Sequence, residues 1–246
     1  MTPLPARPLW RNGRRCEIDQ TMNAAPLHRA GHRFLLDPAG IVFWPAHKTM
    51  IVADLHLEKA SAGAVHGQLM PPYDSRTTLD RLARLVRRYR PETVIALGDS
   101  FHDSAGRHRM AAEDAARLAR LESAQRWVWI AGNHDPATDW PTDWTLDAVT
   151  LRHQAGTEPP GALEFSGHFH PKASIITRAA RITRPCFVVD HQRVILPSFG
   201  AYTGGLDVTA APIRQLFPRG GQVFLLGTDR LHCFALADAA RAARAA

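Results

Sequence analysis

The stretch WVWIAGNHDP, residues 127–136, runs four apolar side chains straight into a glycine, an asparagine, a histidine and an aspartate. An unbroken apolar run such as Trp127–Ile130 marks a strand buried on both faces, the kind found in parallel sheets covered by crossover helices. Gly132, Asn133 and Asp135 suit the turn that must follow such a strand. A turn does not require His134, so this strand end carries groups able to bind protons or cations.

The same pattern recurs along the chain. Met50 to Ala53 is an apolar run ending in Asp54, Leu55 and His56, and Val94 to Leu97 ends in Gly98, Asp99, Ser100, Phe101, His102 and Asp103. A later strand ends in Gly167, His168, Phe169 and His170. Between them, Leu79, Leu82, Leu85, Val86 and Tyr89 recur at helical spacing up to Pro91, and Ala111 to Leu121 reads as a second helix. Strand and helix in alternation predict a parallel sheet with crossover helices. Upstream, Phe34 to Leu36 and Ile41 to Trp44 flank the turn sequence Asp37, Pro38, Ala39, Gly40 and predict a hairpin. Beyond residue 150 the texture changes to strands separated by turns, at Ala173–Thr177, Cys186–Val189, Val194–Leu196, Val223–Leu226 and Leu231–Leu236, and predicts a second, more antiparallel sheet. Residues 1–27, rich in Pro and Arg, read as a disordered arm or a start-site extension with Met22 as initiator. Residues 28–236 form the domain, and the Ala/Arg-rich residues 237–246 read as a fraying helical tail.

Bulk properties narrow the class. A chain of 246 residues with 45% hydrophobic and 22% charged residues can bury one large core. No apolar stretch reaches the roughly 18 residues of a membrane span, and no apolar segment follows the N-terminal arginines, which leads us to expect a cytoplasmic protein. Cys16, Cys186 and Cys233 are odd in number and lack the CxxC spacing, against both a disulfide framework and a zinc-thiolate site. The net charge of +7 favours polyanionic partners such as nucleic acid.

In open α/β sheets ligands bind beyond the carboxyl ends of the strands, so the four polar clusters should converge. Asp54 with His56, and His168 with His170, are i and i+2 pairs, which in extended chain point to one side. Carboxylate, imidazole and amide oxygen together form a ligand set suited to Mn²⁺, Fe or Zn²⁺ rather than Ca²⁺.

These motifs, Asp54-x-His56, Gly98-Asp99, Gly132-Asn133-His134-Asp135 and Gly167-His168-Phe169-His170, resemble the signature of the calcineurin-like metallophosphoesterases. ADLHLEKASA, LMPPYDSRTTL, LGDSFHDSAGR, SGHFHPKA and LPSFGAYTGGLD further resemble its ligase-associated subgroup of DNA-damage-response endonucleases, over about residues 28–235. The resemblance implies a four-layer α/β/β/α sandwich and two divalent metal ions, manganese foremost, bridged by Asp99. One ion would take Asp54, His56 and His170. The other would take Asn133, His168 and a further histidine, assigned to His153, the only one between Asp135 and His168. A metal pair activates water for in-line attack on phosphorus. His134 is then expected to serve the leaving oxygen, with Asp135 orienting it. The implied function is phosphodiester hydrolysis in DNA repair, in association with an ATP-dependent DNA ligase and a helicase.

One departure bears on substrate. Many relatives carry Gly-Asp-x-x-Asp-Arg, whose arginine grips phosphate, whereas His102 and Asp103 stand here. The missing cation favours a diester over a monoester dianion. Arg76, Lys59 or Lys172 can replace it, and His102 can contact substrate or pair with His134. Arg81, Arg84, Arg87 and Arg88 form either a DNA-phosphate stripe or the solvated face of an amphipathic helix. SFGAYTGG reads as a turn at the edge of the site. Two other readings stay open: a phosphodiesterase of small nucleotides or other metabolites, and a non-catalytic repair scaffold.

Overall fold

A computed structural model describes residues 23–135, 139–157, 161–176 and 180–239. The proposed arm up to Met22, Cys16 and the tail beyond Ala239 lie outside these residues.

The first sheet has six strands in sequential order: β1 (Ala25–Arg29), β2 (His32–Leu36), β3 (Val42–Trp44), β4 (Thr49–Val52), β5 (Thr93–Leu97) and β6 (Arg126–Ile130). The expected hairpin is β2–β3, with Leu35 opposite Phe43. The β4–β5–β6 half is parallel, as the alternating pattern predicts. Its crossovers carry α1 (Lys59–Val65), α2 (Asp74–Tyr89), α3 (Gly106–Arg109) and α4 (Ala112–Ala124). Helix α2 stops at Arg90, in the left-handed region (φ 47°), just before Pro91.

In the second sheet are β7 (Asp143–Leu146), β8 (Val149–Arg152), β9 (Leu163–Ser166), β10 (Lys172–Ile176), β11 (Arg181–Val189) and β12 (Arg193–Ile195). After α5 (Ala211–Leu216) come β13 (Gln222–Leu226) and β14 (Leu231–Ala235). The strand order is β14-β13-β11-β12-β9-β8-β7, with β10 also paired to β11. Within it β8, β9 and β12 run parallel and the other pairs antiparallel.

Alternation along each strand sorts side chains into layers. Phe34, Leu36, Ile51, Ile95 and Leu97 face Val149, Leu151, Phe165, Phe187 and Val194 across the two sheets. Their neighbours Leu35, Met50, Val52, Val94 and Ala96 pack instead under Leu79, Leu82, Leu85 and Val86 of α2 and Leu118 and Leu121 of α4. On the far side of the second sheet, Cys186, Val188, Ile195, Val223 and Leu225 are covered by Ile213 and Phe217 at α5 and by Leu236 and Ala239. This is the expected α/β/β/α sandwich, with a thinner fourth layer. No helix among the described residues is long and apolar enough to cross a membrane.

One boundary is corrected. Order begins before residue 28, because β1 starts at Ala25 and pairs in register with β2, Ala25 opposite Leu36 and Leu27 opposite Phe34. Pro26 masks the strand pattern, and it is tolerated because β1 is an edge strand with no ladder to complete on its outer side.

Candidate metal centre

The polar clusters at the strand ends meet at one end of the sandwich. The backbone that presents them is not extended, contrary to the i and i+2 expectation. Asp54, His56, Asp99, His168 and His170 all have positive φ, between 41° and 68°. Left-handed backbone at a side-chain-bearing residue costs on the order of 1–3 kcal/mol. Cross-strand bonds hold it in place: His56 N–H donates to Asp99 O (2.9 Å), Leu57 N–H to Ser100 O (3.0 Å) and Gly200 N–H to Asp54 O (3.0 Å). The last of these, with Ser198 Oγ donating to Asp54 O (2.9 Å), puts the SFGAYTGG turn against the site.

Two glycines make room for the ligands. A Cβ at Gly132 would lie 2.2 Å from both the amide nitrogen and Oδ1 of Asp99, and one at Gly98 (φ +75°) would lie 2.5 Å from His153 Nδ1. His153 therefore packs over the glycine that precedes Asp99, and this brings the β8 strand end into the site.

Two groups of donor atoms result, each spanning less than 4.8 Å: Asp54 with His56 and His170, and Asp99 with His153 and His168. In the first, His56 Nε2 lies 3.2 Å from His170 Nε2, which is 3.4 Å from Asp54 Oδ1. In the second, Asn133 Oδ1 is 2.9 Å from both His153 Nε2 and His168 Nδ1, which are 3.0 Å apart. Asp99 Oδ2 reaches towards both groups, 3.8 Å from His56 Nε2 and 3.5 Å from His153 Nε2. A third triad, His56, His102 and His134, shares His56 with the first.

The chemistry of the donors fits divalent cations. His153 Nδ1 donates to Leu97 O (3.0 Å), so in neutral His153 the Nε2 is a lone pair. That lone pair faces an amide oxygen at 2.9 Å, an arrangement that a cation between them relieves. Asp54 and Asp99 are buried, and neither carboxylate has a lysine or arginine ion-pair partner among the described residues. Burial pushes the His56 imidazole down to about 2, with further lowering from His170, His134, His102 and Lys59. His168 is lowered by burial first and then by His153. Such imidazoles stay neutral and keep their lone pairs for a metal.

His134 is held differently. Its Nδ1 donates to His102 O (2.7 Å), which fixes the tautomer and leaves Nε2 turned inward, 3.9 Å from Asp99 Oδ2. The His102 ring stacks on it, centroids 5.2 Å apart at 26°. The orienting role expected of Asp135 thus falls to the His102 carbonyl. The Asp135 carboxylate accepts from the backbone N–H groups of Ser100 (3.0 Å), Phe101 (3.1 Å) and Gly132 (3.2 Å), tying the β5 and β6 loops together. Burial, its largest influence, raises its pKa.

Arg76 is engaged elsewhere, its guanidinium bonded to Glu113 (2.8 Å) and near Asp114 (3.6 Å) on α4. Of the basic stripe on α2, Arg81 donates to Phe199 O and Ala39 O and covers the Phe199 ring, and Arg88 lies 3.5 Å from Asp37. Arg81 serves packing, while Arg84, Arg87 and Arg88 are exposed. Among the described residues, Lys59 and Lys172 bring positive charge to the site. Lys59 acts electrostatically on His56 and His102, and its own pKa is lowered by burial first and by Lys172. The sequence placed both lysines next to site motifs, but only the fold brings them together.

Residues 47–205 match the family model of the calcineurin-like phosphoesterases. Comparison with curated proteins returned no significant match. Among solved structures, the nuclease MPE of Pseudomonas putida is 27% identical over 86% of this chain and 100% of that one, with a TM-score of 0.64. The phosphoesterase Yfce of E. coli is 14% identical over 76% of this chain and 98% of its own, with a TM-score of 0.40.

Proposed function

The chain belongs to the calcineurin-like phosphoesterase family, a metal-dependent phosphoester hydrolase, and from that premise we propose that it is a manganese-dependent DNA nuclease acting in repair. The observation that carries the reading is the pair of donor groups sharing Asp99, with His134 Nε2 free beside them. Asp54, His56, His170 and Asp99 would hold one ion, and Asp99, Asn133, His153 and His168 the other. Bound divalent ions supply an activated phosphate oxygen and a nucleophile at neutral pH.

The protein's own groups do the rest. His134, pinned through Nδ1, can as the imidazolium give its Nε2 proton to the leaving oxygen and so return to the neutral Nδ1–H form that the His102 carbonyl holds. Lys59 and Lys172 stand in for the absent arginine clamp. Asp103, at the clamp position, is ion-paired to Arg109 (2.7 Å) and so does not repel a phosphate. Likeness to the P. putida nuclease supports nucleic acid as the substrate, and DNA, with association with a ligase and a helicase, follows from the subgroup resemblance.

The test is hydrolysis by metal-stripped protein resupplied with Mn²⁺, on single-stranded, duplex and nicked DNA beside a small chromogenic diester, with Asp99→Ala as control. Cleavage of DNA and small diester by the wild type alone is expected. Cleavage of the small diester only would remove DNA as substrate and favour a small-nucleotide phosphodiesterase.

A further inference from the structure

The geometry points to a nucleobase pocket beside His134, which rests on the nucleic-acid reading above and assigns the pocket to the base of the leaving nucleoside. A cavity of about 180 Å³ is lined by Phe101, Ser104, Arg107, His108 and Trp140 and by the acidic Asp103 and Asp135. Phe101 immediately precedes His102 and Asp135 immediately follows His134. The cavity therefore lies against the loops that carry the stacked histidine pair, of which His134 would serve the leaving oxygen.

Size and walls select a flat, neutral ring. Pockets for drug-sized ligands run to roughly 300–1,000 Å³, so this one takes a smaller group, on the scale of a single base. Trp140 ends a stack of three tryptophans: Trp127 on Trp129 (4.5 Å, 19°) and Trp129 on Trp140 (5.3 Å, 17°). Trp127 Nε1 donates to Leu121 O (3.0 Å), anchoring the far end of the stack. With one face against Trp129, Trp140 is already ordered before any ligand arrives. Shielding the β6 edge explains Trp127 and Trp129, but not a cavity at the end of the stack.

The charges at the rim are already matched. Arg107 is bonded to Glu122 (2.9 Å) while lying over the Phe101 ring, and Asp103 is bonded to Arg109. The Asp135 carboxylate is turned to backbone N–H groups. A charge-balanced, aromatic-walled cavity suits a base and not a phosphate. The exposed Ser104 and His108 are placed to meet its polar edge.

Two substrates given to the Mn²⁺-loaded protein test this: a short single-stranded oligothymidylate, and a chain of equal length in which every nucleoside is abasic. Stacking of a base on an aromatic side chain strengthens binding whatever the base. Trp140→Ala should therefore raise KM for oligothymidylate about tenfold, or ~1.4 kcal/mol, with kcat little changed. Ser104→Phe, which fills the cavity from an exposed position, should do the same without touching the tryptophan stack. Neither variant should alter KM for the abasic chain, which should already be high for the wild type. If both variants leave KM for oligothymidylate unchanged, the pocket is overturned and the nuclease reading stands. If neither chain is cut while the small diester is, both fall.

Discussion

At the scale of single residues, the division between ligand and proton donor has measurable consequences. His134 is absent from both donor groups that meet at Asp99, and its Nε2 is poised beside them. His134→Ala should keep close to wild-type manganese by elemental analysis while kcat falls about 10²–10⁴-fold, the usual worth of a positioned acid. Asp99→Ala should lose activity together with metal. Asp135 makes the opposite kind of prediction. Its carboxylate satisfies three backbone N–H groups, and leaving buried donors unpaired costs on the order of 1–3 kcal/mol each. Asp135→Ala should thus lower stability to urea by several kcal/mol, and any lost activity should follow the lost fold. The ligand types were legible in the sequence because carboxylate and imidazole recur after every buried strand. The role of Asp135 was not, because it depends on which N–H groups two separate loops bring within 3.2 Å. His102 was legible as a partner of His134, on which its ring stacks, but not the use of its carbonyl, which its residue type does not reveal.

At the scale of elements, strand ends rather than strands define the site. The runs at β4, β5 and β6 announced themselves by continuous apolar character, and α2 by its periodicity. Helix α1 did not, since KASAGAV offers only small residues for its buried face, Ala60, Ala62 and Gly63. Strand β7 was likewise missed: it lies at a sheet edge and none of its residues is fully buried. The bends after the strands were misread as extended because period-two spacing does not distinguish a strand from a run alternating with left-handed residues. Their dependence on glycine is testable. Gly132→Ala would press a methyl group to 2.2 Å from Asp99, against backbone that cannot move away. It should cost about 1–3 kcal/mol and lower metal content, whereas Gly161→Ala, with nothing within 4 Å, should do neither. Retention of wild-type metal stoichiometry by Gly132→Ala would show that the β6 loop can shift without disturbing Asp99.

At the scale of the whole molecule, each donor group draws on both sheets. Asp54 and His56 follow β4 and are completed by His170 beyond β9, while Asp99 and Asn133 follow β5 and β6 and are completed by His153 and His168 from the second sheet. Metal binding should therefore stabilise the packing of one sheet on the other, by about 2.7 kcal/mol for one site at a hundredfold excess over Kd. For a chain of this size that corresponds to roughly 5–10 °C in Tm. In metal-free protein the pH dependence has a definite sign. His56 is lowered from 6.5 to about 2, so below pH 6.5 the unfolded chain takes up a proton that the folded protein refuses. Stability should be unaffected by this group above pH 6.5 and fall as pH drops, by about 2 kcal/mol at pH 5 from His56 alone. His168 and His102, also lowered chiefly by burial, act in the same direction. Asp135 and Glu164, raised by burial, act oppositely and offset part of the loss at lower pH. Thermal unfolding of metal-free and Mn²⁺-saturated protein at pH 8, 6.5 and 5 separates the two effects. The metal-free Tm should be flat between pH 8 and 6.5 and then fall, and protonation of His56 should take nothing from the Mn²⁺ increment at pH 5, because the folded imidazole stays neutral there. A Tm indifferent to Mn²⁺ at pH 8 would mean that the two sheets hold these side chains together without help from a cation.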